Sequence, residues 1–361
     1  MKKWLYEFAQ TTTYLGVAVI LIIWGGIFLL ASQEHERDYE DAVRQGSNLT
    51  RVLEEYINRV VKETDSALLA LRQSYQEDPQ HFDIRRWVVH SRPNTELTLQ
   101  YGITSSDGFV LQSSLAPLPA PTYVGDRPHF KVHAESTADQ LYIGAPVIGK
   151  LSGKLTIELT RRISNAEGSF AGTVAASLDV QQLNRFFGSL DIGHNGIVSL
   201  IGFDGIVLAR GASDPNAPSF ASASITDSPL YRALRQSPNG SYWNTEASSA
   251  KFDGVSRLIS YRTVTGLPLI AIVGLDEQSI FQGANTALQK YVTLGITLTA
   301  IVLIVMVFGA GQKSNITSTT NELRSSKQSL EHSNLLLHTA LKNMAHGLCI
   351  VRSRSASCRL Q

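Results

Sequence analysis

Cysteine is almost absent from this chain of 361 residues: the only two are Cys349 and Cys358, both close to the C-terminus. The long middle region therefore has no disulfide available, and any domain there depends on its apolar core. An excess of one charge is missing too. The 32 Lys and Arg balance 31 Asp and Glu, for a net charge of +1, which excludes the basic surface that sequence-independent nucleic-acid binding uses. No G-x-S-x-G elbow, H-E-x-x-H pair or Walker loop occurs, and neither does a GGDEF, EAL or kinase signature, so this chain is expected not to be an enzyme.

Two stretches lack charge altogether, Thr13 to Ala31 and Tyr291 to Ala310. About 20 apolar residues cross the hydrocarbon core as a helix, so each is long enough to span. The first exceeds a signal-peptide apolar region, and no small-x-small cleavage site follows it in ASQEHERD, so it reads as an uncleaved anchor. Lys2 and Lys3 precede it; Lys313, Arg324 and Lys327 follow the second span. Positive flanks favour the cytoplasm, which puts both termini inside and residues 32 to 290 outside in a two-pass inner-membrane protein.

Ser32 to Tyr75 contains no proline. Leu49, Val52, Leu53, Tyr56, Ile57 and Val60 recur at spacings of three and four, predicting one apolar face of a long helix, packed on its own domain or shared with a dimer partner. From Leu97 the texture changes to short β-type runs separated by Gly, Asp and Pro. LTLQYGI, FVLQSS, LYIGAPVIG, KLTIELT and FAGTVAASL form one set, and GIVSLIG, GIVLAR, GSYWN, SRLISYRTV and PLIAIVGL a second, with a helix-like VQQLNRFFGSL between them. The sets share a spacing. Asp107 and Asp204, each in a DG turn, are 97 positions apart, and so are Asp179 and Asp276, each closing a strand. A common offset at both ends of a unit points to internal duplication. The expected class is α+β: two tandem modules, each with an antiparallel sheet, on one long N-terminal helix.

This order, with GDRPHF, IGAPVIGKLSGKLTIELTRRI and GSFAGTVAASLD, resembles the double Cache (tandem PAS-like) sensor domain of bacterial chemoreceptors, sensor kinases and cyclic-di-GMP enzymes. The resemblance covers most of residues 33 to 285. With it the chain divides into a cytoplasmic N-terminus (1–12), a first span (13–31), a stalk helix and connection (32–96), a membrane-distal module (97–190), a membrane-proximal module (191–285), a second span (291–310) and a cytoplasmic signalling helix (311–345).

The resemblance implies a ligand site in the first module. Amino-acid-sensing members carry Arg-x-Trp-Tyr and an Asp on a later strand; here Arg127, His129 and Phe130 fill the first positions, and Ser177 stands where the acid is expected, with Asp179 two residues on. A ligand ammonium needs a buried carboxylate, whereas a guanidinium offers a planar fork to a carboxylate. The expected ligand is therefore a small organic anion, with Tyr142 and Lys154 added to the site from neighbouring strands. The alternative is that Arg127 pairs with Asp126 or Asp139 and pins a loop. His129 and His133 form an H-x-x-x-H pair that with Glu135 or Asp139 has metal-ligand types, but the resemblance favours an organic ligand; no metal or cofactor is expected. Trp243, Tyr242 and Tyr261 read as sheet packing.

Beyond the second span, Ile316, Leu323, Leu330, Leu337 and Met344 fall every seven residues, predicting a weak parallel coiled coil in a homodimer. ALKNMAHGLCIV resembles a kinase phosphoacceptor box around His346, without the acid and proline that box wants. Residues 337 to 351 more closely resemble the opening helix and first strand of a cytoplasmic PAS domain, expected over 337–361 and cut short at RSRSASCRLQ. Together these readings imply a membrane sensor that binds a small molecule and signals inward. The alternative is a fragment of a diguanylate cyclase, phosphodiesterase or histidine kinase whose catalytic module lies outside this chain.

Overall fold

The computed structural model describes residues 2–91, 93, 96–115, 120–213, 220–234, 236–245 and 253–357, and side chains in all of these except 2–12, 309–318, 320, 343 and 345–357. Residues 358–361 of the expected PAS start, Cys358 among them, lie outside the described residues. The chain forms two compact units, one of residues 1–33 with 286–361 and one of residues 34–285.

The first unit consists of the ends of two long helices, α1 (Lys2–Glu77) and α7 (Gln282–Ser357). Both carry an apolar window of mean hydropathy 2.5 that is only 6% buried, and both are long and apolar enough to cross a membrane. Trp24 Nε1 donates to Thr299 Oγ1 at 3.2 Å within this unit. Leu323, Leu330, Leu337 and Met344 stand exposed on α7. Residues 337–351, for which the PAS resemblance implies an opening helix and a first strand, are helical throughout.

The second unit contains two antiparallel sheets. The first comprises β1 (Thr98–Ser105), β2 (Val110–Ser113), β3 (Tyr142–Ile143), β4 (Val147–Ile148), β5 (Leu155–Ser164) and β6 (Phe170–Asp179). Its order is β2-β1-β6-β5-β3, with β4 also on β5. The second comprises β7 (Ile197–Gly202), β8 (Val207–Ala212), β9 (Asn239–Asn244), β10 (Arg257–Thr263) and β11 (Leu269–Asp276), in the matching order β8-β7-β11-β10-β9. Short helices join them: α2 (Ile84–Ser91), α3 (Pro128–Ala134), α4 (Val180–Gly188), α5 (Pro229–Leu234) and α6 (Glu277–Ile280).

The parallels extend to single residues. Gly108 and Gly205 occupy the same turn with φ of 84° and 79°, a left-handed conformation that glycine adopts without Cβ strain. Asp179 ends β6 and accepts from the Gln181 and Gln182 amides; Asp276 ends β11 and accepts from Gln278 and Ser279. Each carboxylate satisfies first-turn donors that would otherwise be orphaned.

One face of the first sheet is apolar and lies on α1. Leu53, Ile57, Val61, Leu68 and Leu71 of the helix are buried in one cluster with Tyr101, Ile103, Ile157, Leu159, Val174 and Ala176. Val52, expected on this face, is 64% exposed instead, because the buried stripe advances from Leu53 by steps of four and leaves its neighbour about 100° round the helix. Charge ties the same elements together: Arg161 on β5 donates to both Asp65 oxygens (2.5 and 2.9 Å) and to Asp139 (3.1 Å), and Arg72 donates to both Asp139 oxygens (2.8 and 3.0 Å).

Candidate functional site

The opposite face of the first sheet is polar and buried. Along β5, Thr156, Glu158 and Thr160 alternate with Ile157 and Leu159 and are each less than 8% exposed. Strand alternation sends the three polar groups away from α1, towards α3 and the segment before it. Pro128 opens α3, its fixed φ suited to a first helical position, so Arg127 is the extended residue at the helix entry.

Between this face and α3 lies a cavity of about 60 Å³. Gln100, Gly102, Ala175 and Ser177 form its floor with Glu158, and Arg127, His129 and Lys150 line its other side. At roughly one water per 10–15 Å³ of such volume, it accepts about four to six non-hydrogen atoms.

The charges around it are unequally partnered. Lys150 Nζ donates to Asp126 (2.9 Å) and to the Tyr123 carbonyl (2.8 Å), and Asp139 is held by Arg72 and Arg161. Both acids that would have neutralised Arg127 are thus taken. Arg127 itself has one long contact, Nη2 to the Ile148 carbonyl at 3.5 Å, and no ion pair among the described residues.

Glu158 sits opposite Ser177 in the β5–β6 register. Ser177 Oγ and Thr156 Oγ1 each lie 2.8 Å from one of its carboxyl oxygens. Burial pushes this carboxyl up from the usual range; the two hydroxyls and the Arg127 charge pull the other way and do not prevail. His129 is depressed to about 4, first by desolvation and then by Arg127 and His133. His133 is lowered as well, chiefly by burial. Thr160 Oγ1 donates to the His129 carbonyl (3.1 Å) and so accepts from His133 Nε2 (2.9 Å). This turns the second histidine of the H-x-x-x-H pair into the fold.

The expected site residues therefore separate. Arg127, His129 and Ser177 line the cavity. Phe130 does not; it is buried edge-on against Phe170 at 5.3 Å. Tyr142 packs on His133 at the sheet edge. Asp179 caps α4 and pairs with Lys154 at 3.5 Å, so neither reaches the cavity. Glu158, Gln100 and Lys150 are the additions. The sequence signal for Glu158 is the alternation in TIELT, which places a carboxylate between two threonines on one strand face.

The corresponding place in the second sheet is filled. Where Glu158 faces Ser177, Ile259 faces Gly274, 97 positions after Ser177. A Cβ on Gly274 would come within 2.7 Å of Ile197 and 2.9 Å of Ile259, whose side chains fill the space. Ile272 takes the place of Ala175 at the same offset, and the cluster closes with Ile201, Tyr261 and Leu230.

The two histidines, His133 buried and His129 half-buried, make stability fall with acid. Both are neutral in the fold and titrate near 6.5 when unfolded, so their contribution is complete above that pH and is lost as pH drops below it. Between pH 6.5 and the His129 value of about 4, the loss from that residue is roughly 2–3 kcal/mol. Glu158 has the opposite sign, being raised, and offsets part of it. Urea unfolding at about pH 7.5 and about pH 5 should show the decline, shallower in His129→Gln; an identical decline in that variant would exclude His129 as its source.

A family model described as a Cache domain (dCache_1) matches residues 31–284. The chain belongs to the Cache domain family. No curated protein matches it. Among solved structures, it is similar to the extracellular domain of the candidate histidine kinase rpHK1S-Z16, at 25% identity and TM-score 0.59, over 66% of this chain and 96% of that one. The ligand-binding domain of the Pseudomonas fluorescens chemoreceptor CtaA, solved with L-isoleucine, matches at 17% identity and TM-score 0.48, over 71% and 99%. That of the Pseudomonas aeruginosa PAO1 chemoreceptor PctB, solved with L-Arg, matches at 18% and 0.48, over 68% and 98%. The protein thus carries a sensor domain of the Cache class, flanked in sequence by two helices long and apolar enough to cross a membrane.

Proposed function

We propose that this protein is a two-pass membrane sensor that binds a small organic anion, carboxylate in type, in the first-sheet cavity and passes the event inward as a homodimer. The observation that carries this reading is the Arg127 guanidinium at the cavity, without an ion pair while Asp126 and Asp139 are both engaged. A fork of donors without a carboxylate is a site for one from outside. The cavity volume favours two to four carbons, and Gly102, Ala175 and Ser177 keep it open.

The two sheets serve as tandem PAS-like modules, the first for binding and the second, with its space filled by isoleucines, for support. The Asp65–Arg161–Asp139–Arg72 network connects β5, which carries Glu158, to α1, so a shift of that strand has a charged coupling to the helix that leads to the membrane. A ligand drives the change only through unequal affinity for the two arrangements. The lysines and arginine flanking the apolar windows support cytoplasmic termini, and the exposed leucines of α7 support pairing there.

A second reading, an α-amino acid, has Glu158 in its favour, since its carboxyl supplies the acid missing at Ser177. The raised, hydroxyl-bonded state of that carboxyl favours the anion.

A thermal-shift screen of the full chain in detergent tests the proposal. At about 100 times its Kd a ligand adds about 2.7 kcal/mol, roughly 5–10 °C for a domain of this size. Acetate, propionate and pyruvate are expected to raise Tm, and Ala175→Ile, which imports the second sheet's filling, to remove the shift. A shift retained in Ala175→Ile would place the ligand elsewhere.

A further inference from the structure

The cavity contains one group that an anion site does not require. Glu158 is 7% exposed and shares the cavity with Arg127. Its hydrogen-bond partners are two neutral hydroxyls, Thr156 Oγ1 and Ser177 Oγ, each 2.8 Å from one carboxyl oxygen, and either hydroxyl can serve the carboxyl in both protonation states. Among the described residues the carboxyl forms no ion pair, although Arg127 and Lys150 line the same cavity. A carboxyl so buried and without a paired cation favours its neutral form.

The charged and titratable groups facing Glu158 are few. Arg127 and His129 come from the α3 segment and Lys150 from the β4–β5 turn; Asp179, two residues beyond Ser177, is paired with Lys154. His129 is neutral above about pH 4. Glu158, raised by its burial, is therefore the carboxyl in this cavity whose charge state can change above the usual carboxylate range.

We infer that Glu158 is a proton gate on the anion site: protonated, it leaves Arg127 to the ligand and offers a hydrogen-bond donor; ionised, it claims the Arg127 charge itself and repels an incoming carboxylate. The inference rests on the organic-anion reading and adds to it that the sensor reports anion and acidity together. Binding an anion to the ionised form takes up one proton at Glu158. A zwitterionic ligand has the opposite linkage, since its ammonium favours ionised Glu158 and its binding releases the proton.

The test uses the full chain in detergent with acetate, propionate and pyruvate as probes, pyruvate because it stays ionised throughout. Isothermal titration is run from about pH 5.5 to about pH 8.5, in buffers of different ionisation enthalpy to count protons. Affinity is expected to fall up to about tenfold per pH unit once Glu158 ionises, with up to one proton taken up. Glu158→Gln, which keeps the shape and cannot ionise, is expected to bind with no such slope. Infrared titration of the unliganded chain supplies a readout without ligand: a protonated-carboxyl band that persists above the usual carboxylate range and is missing from Glu158→Gln supports the gate. Absence of that band, a flat wild-type affinity, or affinity that rises with pH overturns the gate alone. Failure of all three probes to bind at any pH overturns the organic-anion reading and the gate with it.

Discussion

Arg127→Ala is expected to weaken organic-anion binding about 100-fold while leaving the fold intact. A hydrogen bond to a charged group is worth about 1.5–3 kcal/mol, and a guanidinium can give a carboxylate two in one plane. Partial exposure of Arg127 lowers the total to about 3 kcal/mol, which is roughly the stated factor. The fold should not notice, because among the described residues the side chain has one hydrogen-bond partner, the Ile148 carbonyl at 3.5 Å; a change of stability within about 0.5 kcal/mol is expected. Arg127→Lys keeps the charge and loses the fork, and is expected to recover about tenfold of the loss. Isothermal titration of the three proteins measures this directly. Equal affinities across them would remove Arg127 from the site.

The largest stability effect is expected at Arg162, a charged residue only 4% exposed with no carboxylate partner among the described residues. Its Nη1 donates to the His133 and Ser136 carbonyls at the end of α3, its Nη2 to the Gly168 carbonyl at 3.3 Å and its Nε to Ser164 at 3.1 Å. The guanidinium lies 4.9 Å above the Phe170 ring, which in turn packs on Phe130. The cation sits where helix C-terminal carbonyls concentrate negative potential, so the arginine fastens the far end of the segment that carries Arg127 and His129. Arg162→Ala leaves three carbonyls without this donor and is expected to cost about 3–5 kcal/mol. Lysine cannot span the same three directions and should restore less than half. Denaturant midpoints at unchanged m-value would report the change; a loss below about 1 kcal/mol would mean that solvent serves these carbonyls equally well.

What the sequence discloses and what it withholds follow from the range of the interactions. The long helix, the strand runs and the repeat are local patterns, and even the paired roles of Asp179 and Asp276 are visible as a shared offset. Arg127 is visible as well, because a proline fixes the backbone after it. Glu158 is not, since its meaning depends on register: only the pairing of β5 with β6 brings it opposite Ser177 and supplies, from the neighbouring strand, a carboxyl that one strand alone lacks. Asp179 misleads for the same reason. Period-two alternation puts it on the Ser177 face, but the strand ends there and the carboxylate turns to the first amides of α4. Phe130 and Tyr142 are aromatic neighbours of the cavity segment in sequence, and packing against Phe170 and His133 takes them out of it.

The central claim is that one external cavity per chain, in the first sheet only, takes the ligand through Arg127. Calorimetric stoichiometry of pyruvate binding to the full chain in nanodiscs tests it most directly. The account predicts one site per chain, lost in Arg127→Ala and blocked by Ala175→Ile. Two sites per chain, or one that survives both substitutions, would contradict it.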